Sequence, residues 1–262
     1  MNKLDRSRVK VPATWAGLVR KIFPDELLFQ RKVTEFEALE IDDPLRRRGF
    51  KSYAPDALPR SKKGICDFKA LWGRAKKALA AMSHQKCAYC EHPINAGRCA
   101  AVEHFKPKAL FPSLAYDWLN YFLGCFGCNG AKGDKWPAGG GGYVRPDDGD
   151  PATEFLFLED GSVRAAVPGS AAEQTIRDFD LDREWLRELR RRDIAAMLRE
   201  LDDLLNEPGI PEEVRERMAR RQYERLQDPE LGYSEALRQC FRRAWSARFP
   251  TASLGGRSLG EA

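Results

Sequence analysis

Two Cys-x-x-Cys pairs, Cys87-Ala-Tyr-Cys90 and Cys125-Phe-Gly-Cys128, stand in this chain with 34 residues between them. Each such turn can aim both of its sulfurs at one ion, and two turns together complete a tetrahedral zinc site. Distant segments must then meet, which constrains the fold more than any other feature. A stretch of about 50 residues buries too little apolar surface to hold itself rigid. Structural zinc contributes on the order of 10 kcal/mol of binding energy coupled to folding, so Zn²⁺ on Cys87, Cys90, Cys125 and Cys128 would lock the ends of this stretch. Four thiolates leave no open coordination position, so such an ion is structural and any chemistry lies elsewhere. A redox reading expects a single pair in a βαβ setting, which neither pair has. A finger with two cysteines and two histidines needs both histidines after its pair, and beyond Cys90 there are only His92 and His104, at the wrong spacing.

Seven cysteines, an odd number, favour metal ligation in a reducing compartment over disulfides. The three outside the pairs, Cys66, Cys99 and Cys240, are expected to be buried or inert thiols. No run of 18 apolar residues is present, so no membrane span is expected. The first residues, Met1 to Arg6, lack the apolar run of a secretory signal, and a cytoplasmic protein is expected. The net charge of +5 is unevenly spread. Residues 44–80 hold eleven Lys or Arg against Asp56 and Asp67, a local +9, and the rest of the chain is slightly acidic. Counterion release would give such a segment affinity for nucleic acid; a solvated helix face is the plainer reading.

The expected fold class is α+β and mainly helical, a zinc-stapled core with flanking N- and C-terminal helices. Residues 1–66 form a basic, irregular region with a helix from Asp25 to Leu39. A core domain follows over 67–136, opening with an amphipathic helix from Asp67 to His84 that Asp67 caps. A strand is expected near Ala101 to Phe105, and a helical turn after Cys128. Residues 137–170 read as a loop, including Gly139 to Gly142, and a small hairpin over Glu154 to Val163. Apolar periodicity over 171–250 marks helices through Leu181 to Leu205, Glu212 to Leu226 and Glu235 to Phe249. The arginines from Arg187 to Arg192 read as a solvated face. Residues 251–262 read as a disordered tail.

Between the pairs lies Glu103-His104-Phe105-Lys106-Pro107-Lys108; Asn120 stands five residues before the second pair and Asn129 directly follows it. A carboxylate, an imidazole and two amides held in one clamp suit metal-assisted hydrolysis. Phosphodiester hydrolysis needs an aligned water, a base, and positive charge on the developing oxyanions. Two oxygen ligands would leave positions for water and phosphate, which suits Mg²⁺ or Mn²⁺. Asp117 and Asp134 are nearby in sequence and leave a two-metal variant open. His84 and His92 read as surface or supporting residues, and Phe105 and Trp118 as core.

These residues resemble the HNH (ββα-metal) endonucleases. More narrowly, Cys87-Ala-Tyr-Cys90-Glu91, Glu103 to Lys108, Tyr116 to Asn120, Lys132 to Pro137 and Arg145 to Asp148 resemble the HNH subunit (PtuB) of Septu-type anti-phage systems and its retron-associated relatives. Thr175, Ile176, Leu181, Leu186 and Arg190 extend the likeness, which covers roughly residues 67–195. The resemblance implies a ββα-metal core and a DNA endonuclease. By position, His104 is the general base, with a pKa near neutrality suited to that task. Glu103 and Asn129 would hold a catalytic divalent ion, Asn120 would hold the loop and imidazole in orientation, and Lys106, Lys108 and Lys132 would contact phosphates. Glu103 stands where Asp is commoner, and Asn129 where many relatives carry histidine. Implied partners are DNA and an ABC- or SMC-like (PtuA-like) ATPase docking on helices after residue 171. In the retron context they are a reverse transcriptase and its nucleic-acid product; no membrane is involved. The rival readings are a non-catalytic zinc module binding nucleic acid through residues 44–80, and a stand-alone restriction-type nuclease.

Overall fold

The structure is a computed structural model that describes residues 1, 3–11, 15–19, 22–23, 25–94, 99–138 and 141–249. The tail expected over 251–262, and Gly139 and Gly140 of the expected loop, lie outside the described residues. The fold is α+β: among the described residues, short and long helices accompany two separate two-stranded antiparallel sheets.

The N-terminal region carries α1 (Trp15–Val19), α2 (Glu26–Glu37), α3 (Pro44–Arg47) and α4 (Phe50–Tyr53). Asp25 caps α2 by accepting the Leu28 N–H at 2.9 Å, and Phe29, Val33 and Phe36 recur along its buried face. Phe36 meets Phe50 edge-on at 5.4 Å, so α2 and α4 share one aromatic core. Arg6 ties the start of the chain to the centre. Its guanidinium donates to Leu119 O and Tyr121 O, both at 3.0 Å, and pairs with Asp147.

The single helix expected from Asp67 to His84 is broken. A 3₁₀ turn, Leu71–Ala75, precedes α5 (Lys76–Met82). Asp67 caps no helix; its carboxylate takes Lys51 at 2.8 Å and the N–H of Phe68. Gly73 weakens helix propensity in mid-segment, and the tighter turn carries Trp72 onto His104. Strands β1 (Ala100–His104) and β2 (Tyr121–Cys125) pair next, and β2 runs directly into α6 (Phe126–Lys132).

A second hairpin, β3 (Phe155–Phe157) and β4 (Val163–Ala165), packs against the helices that follow: α7 (Ala171–Asp178), α8 (Glu184–Asn206), α9 (Glu212–Arg225) and α10 (Ser234–Arg248). Gln239 on α10 grips β3, accepting from Phe157 N at 3.0 Å and donating to Phe155 O at 2.9 Å. Arg190 departs from the solvated arginine face expected over 187–192. It is buried, with Nε on Gly161 O at 2.6 Å and Nη1 on Leu181 O at 2.9 Å. Its neighbours do lie toward solvent, where Arg191 pairs with Glu188 and Arg192 with Asp193. Of the unpaired cysteines, Cys240 is buried, Cys66 is half-buried and Cys99 is exposed. No helix among the described residues is long and apolar enough to cross a membrane.

Candidate active site

The two cysteine turns meet because β1 and β2 bring them together. Ala100 pairs with Cys125 at one end of the ladder, and His104 with Tyr121 at the other. Cys125 ends β2 and caps α6, its Sγ accepting the Cys128 N–H at 3.4 Å. The first turn docks on the same strand through Ala88 N–H to Leu123 O at 2.8 Å, and Glu91 leaves it with a left-handed φ of 60°. All four sulfurs are buried and lie within 4.8 Å of one another. A tetrahedron with Zn–S bonds of about 2.3 Å has sulfurs about 3.8 Å apart, and Cys90 and Cys125 are separated by 3.8 Å. The donor set therefore fits a closed zinc site.

One member of this site was invisible in the sequence. Arg183 lies 55 residues beyond Cys128, yet its guanidinium reaches Cys125 and Cys128 at 3.6 Å and Cys90 at 3.9 Å. Four thiolates on Zn²⁺ would carry a net charge of −2, which Arg183 offsets. Burial alone would lower the guanidinium's proton affinity, but Cys128 and Cys90 raise it above the usual value. Trp185 covers the arginine at 4.4 Å. No motif marks this residue; only the packing of the start of α8 against the cysteine turns does.

His104, Glu103 and Asn129 line one open cavity of about 400 Å³, together with Trp72, Lys108 and Asp134. Trp72 and Tyr121 present their rings edge-on to the imidazole at 4.8 and 5.0 Å. The imidazole Nε2 lies 3.1 Å from Ala115 O. A carbonyl only accepts, so Nε2 carries the proton and Nδ1 keeps its lone pair. Burial, with the nearby Lys108 and Lys132 charges, pushes His104 down to about 3. That corrects the expectation of a near-neutral pKa: in the ligand-free protein the imidazole stays neutral throughout the physiological range.

Glu103 is buried, and its carboxylate pairs with the ammonium of Lys132. Burial pushes this carboxyl up to about 7, while Lys132 works against the rise. Lys132, expected at a phosphate, is fully enclosed, and its Nζ also donates to His104 O at 2.8 Å. It therefore fastens α6 to the end of β1. Gly124 separates Glu103 from Asn129: a Cβ placed there would stand 3.5 Å from the Glu103 Cβ and 3.6 Å from the Asn129 Cβ. The missing side chain keeps the space between these two side chains open.

Asn120 sits behind the cavity. Its side chain accepts from Lys106 N at 2.8 Å and donates to Lys106 O at 2.9 Å and Leu114 O at 3.1 Å, clasping both ends of the intervening loop. The Lys108 ammonium lies 5.3 Å over Trp72 at the cavity, whereas that of Lys106 turns to Phe111 and Trp136 at 5.3 and 5.7 Å. Asp117 caps the turn at Leu119 instead of joining the cavity, while Asp134 does line it. His84 and His92 are committed elsewhere, to Arg8 at 2.7 Å and to the Tyr233 hydroxyl at 2.5 Å.

No family model matches the chain. Two curated relatives do, both named Septu protein PtuB. That of Bacillus thuringiensis is 42% identical over 67 residues, 24% of this chain and 26% of the relative. That of Bacillus mycoides (strain KBAB4) is 26% identical over 144 residues, 44% of this chain and 49% of the relative. The matched region thus spans about half the length of one relative and a quarter of the other. The chain resembles Septu protein PtuB.

Proposed function

We propose that this chain is a metal-dependent HNH endonuclease that hydrolyses DNA phosphodiester bonds, as the effector of an anti-phage system of Septu or retron type. The observation that carries this reading is the convergence of His104, Glu103 and Asn129 on one open cavity, framed by β1, β2 and α6 and stapled by the cysteine cage. The likeness to Septu protein PtuB supports the defence role. The whole-protein consequence is an ABC- or SMC-like ATPase partner, with the helices after residue 171 as its docking region. In a retron setting, the reverse transcriptase and its product would take part.

His104 is the general base. Its Nδ1 lone pair is ready to take a proton from the attacking water because Ala115 holds the proton on Nε2. A pKa of about 3 describes a weak base, but a bound phosphodiester places negative charge beside the ring and raises it. Glu103 and Asn129 are hard oxygen donors that suit Mg²⁺ or Mn²⁺. Such an ion, when bound, would supply positive charge to the phosphate oxygens. Lys132 fixes the Glu103 carboxylate and stays off the substrate, whereas Lys108 at the cavity is free to meet a phosphate. Asn120 holds the loop on which Ala115 orients the imidazole.

The test is cleavage of DNA by the zinc-loaded chain in Mg²⁺ or Mn²⁺, alone and with the ATPase, beside Glu103→Ala and Asn129→Ala. Divalent-dependent cleavage lost in both variants supports the reading. Nucleic-acid binding with no cleavage under any condition would support a non-catalytic zinc module instead.

A further inference from the structure

A second cavity of about 260 Å³ adjoins the first, and Asp134 lines both. Its cations are Arg47, Arg48 and Lys135, against the carboxylates of Asp42 and Asp134. The corner that presents the two arginines is fixed to the loop carrying Lys108. Phe50 N–H donates to Ala109 O at 2.8 Å, and a Cβ at Gly49 would stand 3.5 Å from the Ala109 Cβ. Arg46, between them and the core, is buried, with Nη2 on Leu110 O at 3.2 Å and its guanidinium 5.2 Å over Phe111. One arginine thus anchors the corner from inside, and the next two project from it.

Among the described residues, the guanidinium groups of Arg47 and Arg48 make no ion pair and no hydrogen bond, although both are exposed. Three arginines of the C-terminal helices, by comparison, are held in ion pairs: Arg191 meets Glu188 at 2.6 Å, Arg192 meets Asp193 at 2.8 Å, and Arg238 meets Glu235 at 2.6 Å. Lys135 gives one of its N–H groups to Ala131 O at 2.8 Å and has two more to donate. Unpaired, pre-positioned guanidinium groups beside a hydrolytic cavity suit bidentate binding of a phosphate. Asp134 between the cavities would repel a phosphate, so a strand crossing it must place its phosphates on either side.

The geometry points to a flanking-phosphate subsite: Arg47, Arg48 and Lys135 bind the nucleic-acid backbone next to the phosphate held in the His104 cavity. This rests on the nuclease reading, and it places a grip on the substrate in the N-terminal region, outside the cysteine-bounded motif. Each phosphate neutralised on duplex DNA contributes about 0.9 to the slope of log affinity against log salt.

The experiment is fluorescence anisotropy of a labelled DNA duplex titrated with the full chain over a salt series, without added divalent ion so that no cleavage occurs. Arg47→Ala/Arg48→Ala should weaken binding and reduce the slope by about 1.8, one increment for each guanidinium removed. Arg47→Lys/Arg48→Lys, which keeps the charge, should retain most of the slope, and Arg191→Ala/Arg192→Ala should leave it unchanged. Wild-type binding with an unaltered slope in the alanine double variant would overturn the subsite alone. No binding by wild type at low salt, either alone or with the ATPase, would overturn both the subsite and the reading beneath it.

Discussion

Asn120→Ala should destabilise the protein and disarm the site together. The side chain is 3% exposed and makes three hydrogen bonds, to Lys106 N, Lys106 O and Leu114 O, at 2.8, 2.9 and 3.1 Å. Alanine leaves one N–H and two carbonyls without those partners, at a net cost of about 1 kcal/mol each. The expected loss is about 3 kcal/mol, or roughly 6–12 °C in melting temperature for a chain of this size. Asn120→Asp keeps the acceptor but turns an oxygen toward two carbonyls, so its loss should be at least as large. The function follows the same path. Leu114 precedes Ala115, whose carbonyl holds His104 Nε2, so a loosened loop misaligns the imidazole. Urea unfolding of zinc-loaded protein measures the first effect, and DNA cleavage per folded molecule the second. A stability change within about 0.5 kcal/mol, the range of ordinary surface substitutions, with full cleavage would refute the clasp.

Three further outcomes are expected. Elemental analysis should find one zinc per chain, and Cys128→Ser should lose it and unfold the region around β1 and β2, since the coupled binding energy of about 10 kcal/mol or more rivals the whole stability of a domain. His104, held neutral down to about 3 when folded against about 6.5 unfolded, binds its proton more readily in the unfolded chain. Stability should therefore fall as pH drops through that window, by about 1–2 kcal/mol from pH 6.5 to 5. Glu103, pushed up to about 7, acts in the opposite direction over overlapping pH. The readout is consequently the difference in pH dependence between wild type and His104→Gln, which should lose the His104 contribution. Gly161→Ala should cost about 3 kcal/mol or more by thermal denaturation. The backbone there has φ +79°, and a Cβ would stand 2.1 Å from Arg187 O, adding about 1–2 kcal/mol of left-handed strain to about 1–3 kcal/mol of overpacking.

The order of the cysteine pairs and the residues between them carried much of the site's arrangement, because a metal cage with fixed spacing leaves few ways to fold the intervening chain. Regular apolar periodicity likewise located α2, α8, α9 and α10 to within a few residues. The departures came from packing that no local pattern encodes. Arg183 joins the cysteine cage only because α8 returns to it from far along the chain. Lys132 carries the same charge as a phosphate-binding lysine, but its place in the last turn of α6 points it inward at Glu103. Trp72 is drawn to His104, and the expected long helix around it gives way to a 3₁₀ turn. The depressed pKa of His104 belongs in part to the same class, since it comes first from burial in the packed fold and then from the Lys108 and Lys132 charges.

In the proposed reaction, His104 removes a proton during divalent-dependent DNA cleavage in this cavity. It is tested by single-turnover cleavage of supercoiled plasmid by wild type and His104→Ala, each zinc-loaded, in Mg²⁺ or Mn²⁺, with the proposed ATPase partner supplied. Loss of a general base should slow cleavage by about 10²- to 10⁴-fold while zinc content and DNA affinity stay at wild-type levels. Cleavage by His104→Ala at the wild-type rate would exclude His104 as the base.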